Sequence, residues 1–123
     1  MPVRPLVSVV DDDQSIRESL PDLLTELGFL AQTFASPEEF LQSPFLEHTK
    51  CLLLDIGMPG MSGYDLQHEL MSRKSSIPII FITGPRDEAV RVQLMQDGAI
   101  ECLFKPFSEE ALLVALAKAF QTG

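Results

Sequence analysis

Residues 51–66 read CLLLDIGMPGMSGYDL: an apolar run, an aspartate where it ends, a glycine-punctuated loop, then helix-like spacing. An apolar run of strand length followed by an amphipathic stretch is one βα unit. The form recurs on both sides. Strands are predicted at about 6–10, 29–34, 51–55, 78–83 and 100–104, and helices at about 14–27, 36–43, 63–73, 87–97 and 108–121. Near-continuous apolar strands alternating with helices predict an α/β fold of three layers, with helices on both faces of a five-stranded parallel sheet. Right-handed crossovers favour a doubly wound sheet in the order 2-1-3-4-5.

The punctuation fits this reading. Gly28 follows the first helix, where a left-handed cap is wanted. Ser36-Pro37-Glu38-Glu39 supplies a cap, a proline at the first helical position and a glutamate at the capping-box position. Ser108-Glu109-Glu110 opens the last helix in a similar way. Pro21 conflicts with the first helix, where an interior proline costs about 3 kcal/mol, and predicts a kink or a late start.

Residues 1–123 have the size of a single domain able to bury its own core, with 46% hydrophobic and 22% charged residues. The longest apolar run, IPIIFI at 77–82, is too short to span a membrane, and the first residues lack the pattern of a secretory signal. A cytoplasmic location is the expectation. The formal net charge of −9 repels phosphate backbones, so this segment itself is not expected to bind nucleic acid. Cys51 and Cys102 lie in strand-like runs without CxxC spacing and read as reduced, buried thiols.

Chemistry concentrates where the strands end. Asp11 and Asp12 follow the first strand, Asp55 closes the third, Thr83 the fourth, and Lys105 follows the fifth. In an open parallel sheet these C-terminal ends converge on one crevice. Three carboxylates so placed need a compensating cation, and a set of hard oxygens favours Mg²⁺, with Mn²⁺ as a substitute. A carboxylate beside that cation can act as a nucleophile toward phosphorus. Lys105 and the Thr83 hydroxyl would engage phosphoryl oxygens, and Gly84 leaves room for a phosphodonor. Asp13 alone reads as a helix cap. His48 and His68 have no spaced partners and read as solvated. Met58 and Met61 are expected to pack around the loop after Asp55.

The combination of VVDD (9–12), LLLDIGMPGMSGYDL (52–66), IIFITG (79–84) and LFKPF (103–107) resembles the receiver domain of two-component response regulators, across essentially the whole chain. MPGMSG, ITG and GFLAQTFASPEEFL (28–41) are similar to the FixJ-like branch of transcriptional regulators. The resemblance implies the flavodoxin-like arrangement of the CheY-like superfamily. It implies Asp55 as phosphoacceptor, Asp12 as a direct Mg²⁺ ligand, Asp11 as a ligand largely through water, and the Gly57 carbonyl as the remaining protein ligand. Thr83 would be the switch hydroxyl, Lys105 the phosphoryl-binding lysine, and the Lys105–Pro106 bond cis.

Three positions depart from the family pattern. Gly57 and Pro85, each two residues beyond a site residue, carry no side chain able to position an attacking water, which predicts slow self-dephosphorylation. Cys102 occupies the switch position where the family commonly has Tyr or Phe. Switching should then rely on the loop after Thr83 and on repacking of the 87–97 helix.

The implied partner is a sensor histidine kinase. The implied output is a helix 4–strand 5–helix 5 surface, about 87–121, that dimerises on phosphorylation. The branch further implies a C-terminal helix-turn-helix DNA-binding domain beyond Gly123, with this chain as the N-terminal part of a longer regulator; no membrane partner is expected. Two other readings compete. In one, VSVVDDDQS (7–15) loosely resembles the nucleophile loop of haloacid-dehalogenase-like phosphohydrolases, with Asp11 as nucleophile and Asp13 as acid/base. In the other, a degenerate receiver serves as a scaffold without phosphorylation.

Overall fold

The computed structural model describes residues 4–58, 60–84 and 88–121. Five strands, β1 (Leu6–Val10), β2 (Leu30–Phe34), β3 (Thr49–Asp55), β4 (Ile79–Thr83) and β5 (Glu101–Phe104), pair in parallel in the order β2-β1-β3-β4-β5. They alternate with α1 (Gln14–Glu26), α2 (Pro37–Leu41), α3 (Gly63–Ser72), α4 (Glu88–Gln96) and α5 (Glu109–Gln121). The α/β class, strand order and double winding follow the sequence expectation. Every residue of β1 is buried, as a strand at the centre of a doubly covered sheet must be.

Alternate side chains along the strands feed two cores. Val7, Val9, Cys51, Leu53, Ile80 and Ile82 pack against α1 and α5 through Leu20, Leu24, Leu112 and Leu116. On the other face, Val10, Leu52, Leu54 and Phe81 meet Phe40, Leu66, Leu70 and Leu94 of α2, α3 and α4. Cys51 and Cys102 are not joined by a disulfide, and each sits in one of these cores. Burial pushes the Cys51 thiol up to about 12, which keeps it protonated and unreactive.

Helix ends are set by the expected residues. The Ser36 hydroxyl accepts from the Glu39 amide, and the Ser108 hydroxyl from the Ala111 amide. The Glu39 carboxylate turns back to accept the amide of Ala35 at 3.4 Å. Gly28 takes φ +100° after α1. Pro21 does not delay α1: the helix begins at Gln14, capped by Asp13, and runs through the proline. Burial of Leu20 and Leu24 holds the helix although Pro21 cannot donate to the Arg17 carbonyl.

Two departures matter below. Helix α2 is shorter than the predicted 36–43, ending at Leu41. A turn of 3₁₀ helix, Leu46–His48, follows it, and β3 begins two residues early, at Thr49. The Thr49 hydroxyl donates to the Phe45 carbonyl at 2.7 Å, so the buried Ser8 hydroxyl, also 2.7 Å away, must donate to Thr49. That chain of bonds fastens the 3₁₀ turn to the central strand.

Candidate phosphoryl-transfer site

Parallel pairing brings the strand ends level. Val10 pairs with Leu54, so Asp11 and Asp55 are the next residues of neighbouring strands. Asp55 pairs with Ile82, placing Thr83 one step further on, and Thr83 pairs with Phe104, immediately before Lys105. Carboxylate oxygens of Asp11, Asp12 and Asp55 all lie within 4.8 Å of one another. The Lys105 ammonium stands 2.9 Å from Asp11 Oδ2. The Lys105–Pro106 peptide is cis, and the Lys105 amide donates to the Thr83 carbonyl at 2.7 Å.

Asp11 is fully buried. Its Oδ1 accepts the Asp13 amide at 2.9 Å, whereas Oδ2 has the nearby Lys105 charge but no aligned hydrogen-bond donor. The site thus holds an oxygen whose bonding capacity is unfilled, beside two further carboxylates and without His or Cys. Such a donor set suits a hard divalent cation. Asp12 is exposed and Asp55 is 7% exposed, so the cluster opens to solvent on one side.

Burial, followed by the charge of Asp11, pushes the Asp55 carboxyl up to about 6; Lys105 opposes both. Burial pulls the Lys105 ammonium down, but its contact with Asp11 and the charges of Asp55 and Asp13 leave it raised overall. Asp13 stands apart. Its carboxylate accepts from both the hydroxyl and the amide of Ser15, which hold it below the usual carboxylate range. A carboxylate committed to capping α1 in this way is a poor general acid, which counts against the hydrolase reading.

Gly57 is exposed, and its amide lies 3.4 Å from Asp55 Oδ1. Met58 is buried and Met61 half-buried against the α3 side of the core, as expected. Cys102 is buried in β5, paired in register with Phe81. Pro85 lies outside the described residues. His48 and His68 are exposed and away from the cluster: His48 immediately precedes the start of β3, and His68 lies on α3.

The structure adds two site residues that sequence reasoning missed. Arg17 donates from Nη1 to the Asp11 carbonyl at 2.9 Å, tying α1 to the acidic loop. Gly63 opens α3 directly against the end of β3: a Cβ there would stand 2.6 Å from the Asp55 carbonyl oxygen and 3.0 Å from Ile56 Cα. The clue was a glycine at the first helical position after Ser62, where conformational freedom brings no benefit and close approach does.

A response regulator receiver domain model matches residues 7–117. The chain belongs to that family. It is 45% identical to Nodulation protein W of Bradyrhizobium diazoefficiens over 93% of its length and 50% of that protein's. Identity to Transcriptional regulatory protein FixJ of Rhizobium meliloti is 36%, over 92% of the chain and 55% of the relative. The chain therefore spans about half the length of these relatives. Among solved structures, the receiver domain resembles the response regulator StyR (TM-score 0.83, 46% identity, 98% of this chain and 61% of that one). It also resembles the FixJ-N crystal structure (TM-score 0.85, 34% identity, 98% and 96%). Two-component receiver, rather than turnover enzyme, is the class this receiver domain shares with its relatives.

Two outcomes follow from the geometry. The folded-state value of Asp55, about 6, lies above its ordinary 3.8, so stability is lost as pH rises from about 4 through 6. In magnesium-free buffer, Asp55→Asn should therefore be more stable than the wild type at pH 7.5 by about 1–3 kcal/mol in urea unfolding, at about 1.4 kcal/mol per pH unit with allowance for screening by solvent. The gap should close below pH 4, and a gap independent of pH would rule out this origin. Gly63→Ala must shift backbone rather than a flexible side-chain tip, and should cost about 1–3 kcal/mol by the same measurement.

Proposed function

We propose that this receiver domain accepts a phosphoryl group on Asp55 from a sensor histidine kinase and passes the change to an output surface. The observation that supports this best is the approach of Asp11, Asp12 and Asp55 to within 4.8 Å, with Lys105 against the buried Asp11. Asp11, Asp12, Asp55 and the Gly57 carbonyl would hold Mg²⁺ or Mn²⁺. The bound cation would supply neutralisation of the phosphoryl oxygens, relieving their repulsion with three carboxylates.

The remaining steps belong to the chain. An oxygen of ionised Asp55 attacks phosphorus; the phosphorus–nitrogen bond to the kinase histidine breaks, and its electron pair leaves with the imidazole. Lys105 pairs with one phosphoryl oxygen and the Thr83 hydroxyl donates to another. Beside Lys105, a groove of about 470 Å³ is walled by Ile16, Leu20 and Leu23 of α1 with Pro106 and Phe107. An apolar groove next to the acceptor suits the apolar face of a kinase helix.

Output follows from the β5 edge of the sheet. The Glu101 carboxylate at the start of β5 accepts from Arg91 of α4 at 3.2 Å and from Lys118 of α5 at 2.8 Å. Burial works against ionisation of Glu101, but these two cations and the Cys102 amide hold its carboxyl below the usual range. The three elements are thus cross-linked, and Val92, Leu113 and Val114 are exposed along them. That surface would dimerise on phosphorylation. With a small Cys102 at the switch position, Thr83, the loop after it and α4 would carry the change. In the longer protein, by analogy with the relatives called transcriptional regulators, this domain would form the N-terminal part and a C-terminal helix-turn-helix domain would bind DNA; a cytoplasmic location accords with such an output.

The test is incubation with Mg²⁺ and acetyl phosphate, followed by intact mass and size analysis. One labile phosphoryl adduct, absent in Asp55→Asn and accompanied by dimerisation, is the expected result; an adduct on Asp11 would restore the hydrolase reading, and no adduct on folded protein the scaffold reading. Because Gly57 offers no side chain to position water, the adduct should persist for minutes or longer. Decay within seconds would overturn that expectation.

A further inference from the structure

The opposite end of the sheet carries a second concentration of chemistry. Helix α2 stops at Leu41, and the 3₁₀ turn after it faces the start of β1 and of the edge strand β2. A hollow of about 570 Å³ lies there, larger than the groove beside Lys105. Its floor is apolar: Leu6, Leu30, Ala31 and Phe45, with Gln32 the polar exception. The Phe45 wall is not loose, because the Thr49 hydroxyl holds its carbonyl at 2.7 Å and Ser8 secures Thr49 in turn.

The rim has the opposite character to the rest of the molecule. Arg4, His48 and Lys50 line it, and no acidic side chain does among the described residues. Glu47 lines a neighbouring hollow on the far side of Lys50. In a chain of net charge −9, this grouping is not what a random surface supplies. Of the other described lysines and arginines, all but Lys74 are engaged: Arg73 with Glu69, Arg91 and Lys118 with Glu101, Lys105 with Asp11, and Arg17 with the Asp11 carbonyl. Lys74 apart, Arg4 and Lys50 are the ones without an ion pair or side-chain hydrogen bond among the described residues. Lys50 is also set by a register shift: Leu6 pairs with Thr49 and Val7 with Cys51, so Lys50 has no opposite number in β1. Such irregularities re-aim a side chain at a strand end.

We propose that this hollow binds a small amphipathic organic anion, with an apolar or aromatic body on the Leu6–Leu30–Phe45 floor and a carboxylate or sulfonate at Arg4, His48 and Lys50. The volume falls in the range of small-molecule sites, about 300–1,000 Å³, and a mostly apolar lining with a few convergent polar groups is their usual composition. Charge complementarity selects an anion, and an apolar floor beside the basic rim selects one that carries an apolar body over an extended acidic chain. The site is separate from Asp55, since it lies where β1 and β3 begin and the carboxylates lie where those strands end. It would give the receiver a ligand input independent of phosphate.

The test is an amide NMR titration of the ¹⁵N-labelled chain with 2-naphthoate, with neutral 2-naphthalenemethanol as control. Saturable shifts confined to Leu6, Ala31, Gln32, Phe45 and Lys50 are expected, with a Kd of about 0.1–1 mM for a ligand of about thirteen heavy atoms. The alcohol should bind at least about tenfold more weakly, as should naphthoate to the double variant Arg4→Glu, Lys50→Glu. Gln32→Trp, which fills the floor and leaves the rim cations in place, should also weaken binding; dispersed spectra of both variants establish that they fold. Absence of saturable shifts up to about 10 mM, shifts centred elsewhere, or equal affinity for the alcohol would overturn the proposal. So would a polyglutamate peptide shifting these amides where naphthoate does not, because the occupant would then be an acidic protein segment.

Discussion

Asp11 is a carboxylate with no exposure to solvent, and the structure around it is arranged to make that tolerable. An ionised carboxylate in a dry site costs several kcal/mol unless it is paired and hydrogen-bonded. Here one oxygen takes the Asp13 amide, the Lys105 ammonium stands 2.9 Å from the other, and Arg17 grips the Asp11 carbonyl. Each partner comes from a different piece of chain: the loop itself, the end of β5, and α1. The need to compensate one buried charge therefore fixes where three elements meet. The compensation is partial, since Oδ2 lacks an aligned donor and Asp55 is pushed toward neutrality. A carboxylate set compensated only in part is one that a hard divalent cation would stabilise.

The two cores divide labour across the sheet. The α1–α5 core is built on Val7, Val9, Leu53 and Ile82, and the acceptor groove of α1 and Phe107 lies on its flank. The other core receives Cys102, Leu94 and Phe81, and borders α4. A phosphoryl group on Asp55 would face both, because Asp55 ends the strand they share. Coupling to the output side needs an element with two arrangements. The Glu101 cross-link makes α4, β5 and α5 a unit, so a displacement of α4 that strained the Arg91 contact would be felt at Lys118. A bulky aromatic at position 102 would add a second route; with a small buried thiol there, the proposed switching would fall to Thr83 and α4.

Most of this was legible in the sequence, for a physical reason. Strand-sized apolar runs ending in Asp11, Asp55, Thr83 and before Lys105 encode both the sheet and its functional edge, because parallel strands must end on the same side. The register of β1 on β3 then leaves the carboxylates no choice but to meet. What escaped was set by close approach and by the lengths of short elements. Gly63 carries no side chain to announce its role, and only the 2.6 Å that a Cβ would leave to the Asp55 carbonyl reveals it. The early start of β3 depends on Ser8 and Thr49 finding each other across 41 residues, which no local pattern records. Pro21 did not bring the late start offered as one of its two consequences: α1 begins at Gln14 and runs through it, with Leu20 and Leu24 buried on either side.

The same two central strands carry opposite chemistry at their two ends. Where β1 and β3 finish, three carboxylates gather beside the Lys105 ammonium; where they begin, Arg4, His48 and Lys50 line an apolar floor. The strands run parallel, so every residue type placed before them lands on one edge and every type placed after them on the other. The segregation also costs little, because β1 spans only Leu6–Val10 and about 3.3 Å per residue separates the two clusters by more than a Debye length of physiological salt. Screened from each other, the two edges can be tuned independently: the acidic one by the residues that follow the strands, the basic one by those that precede them.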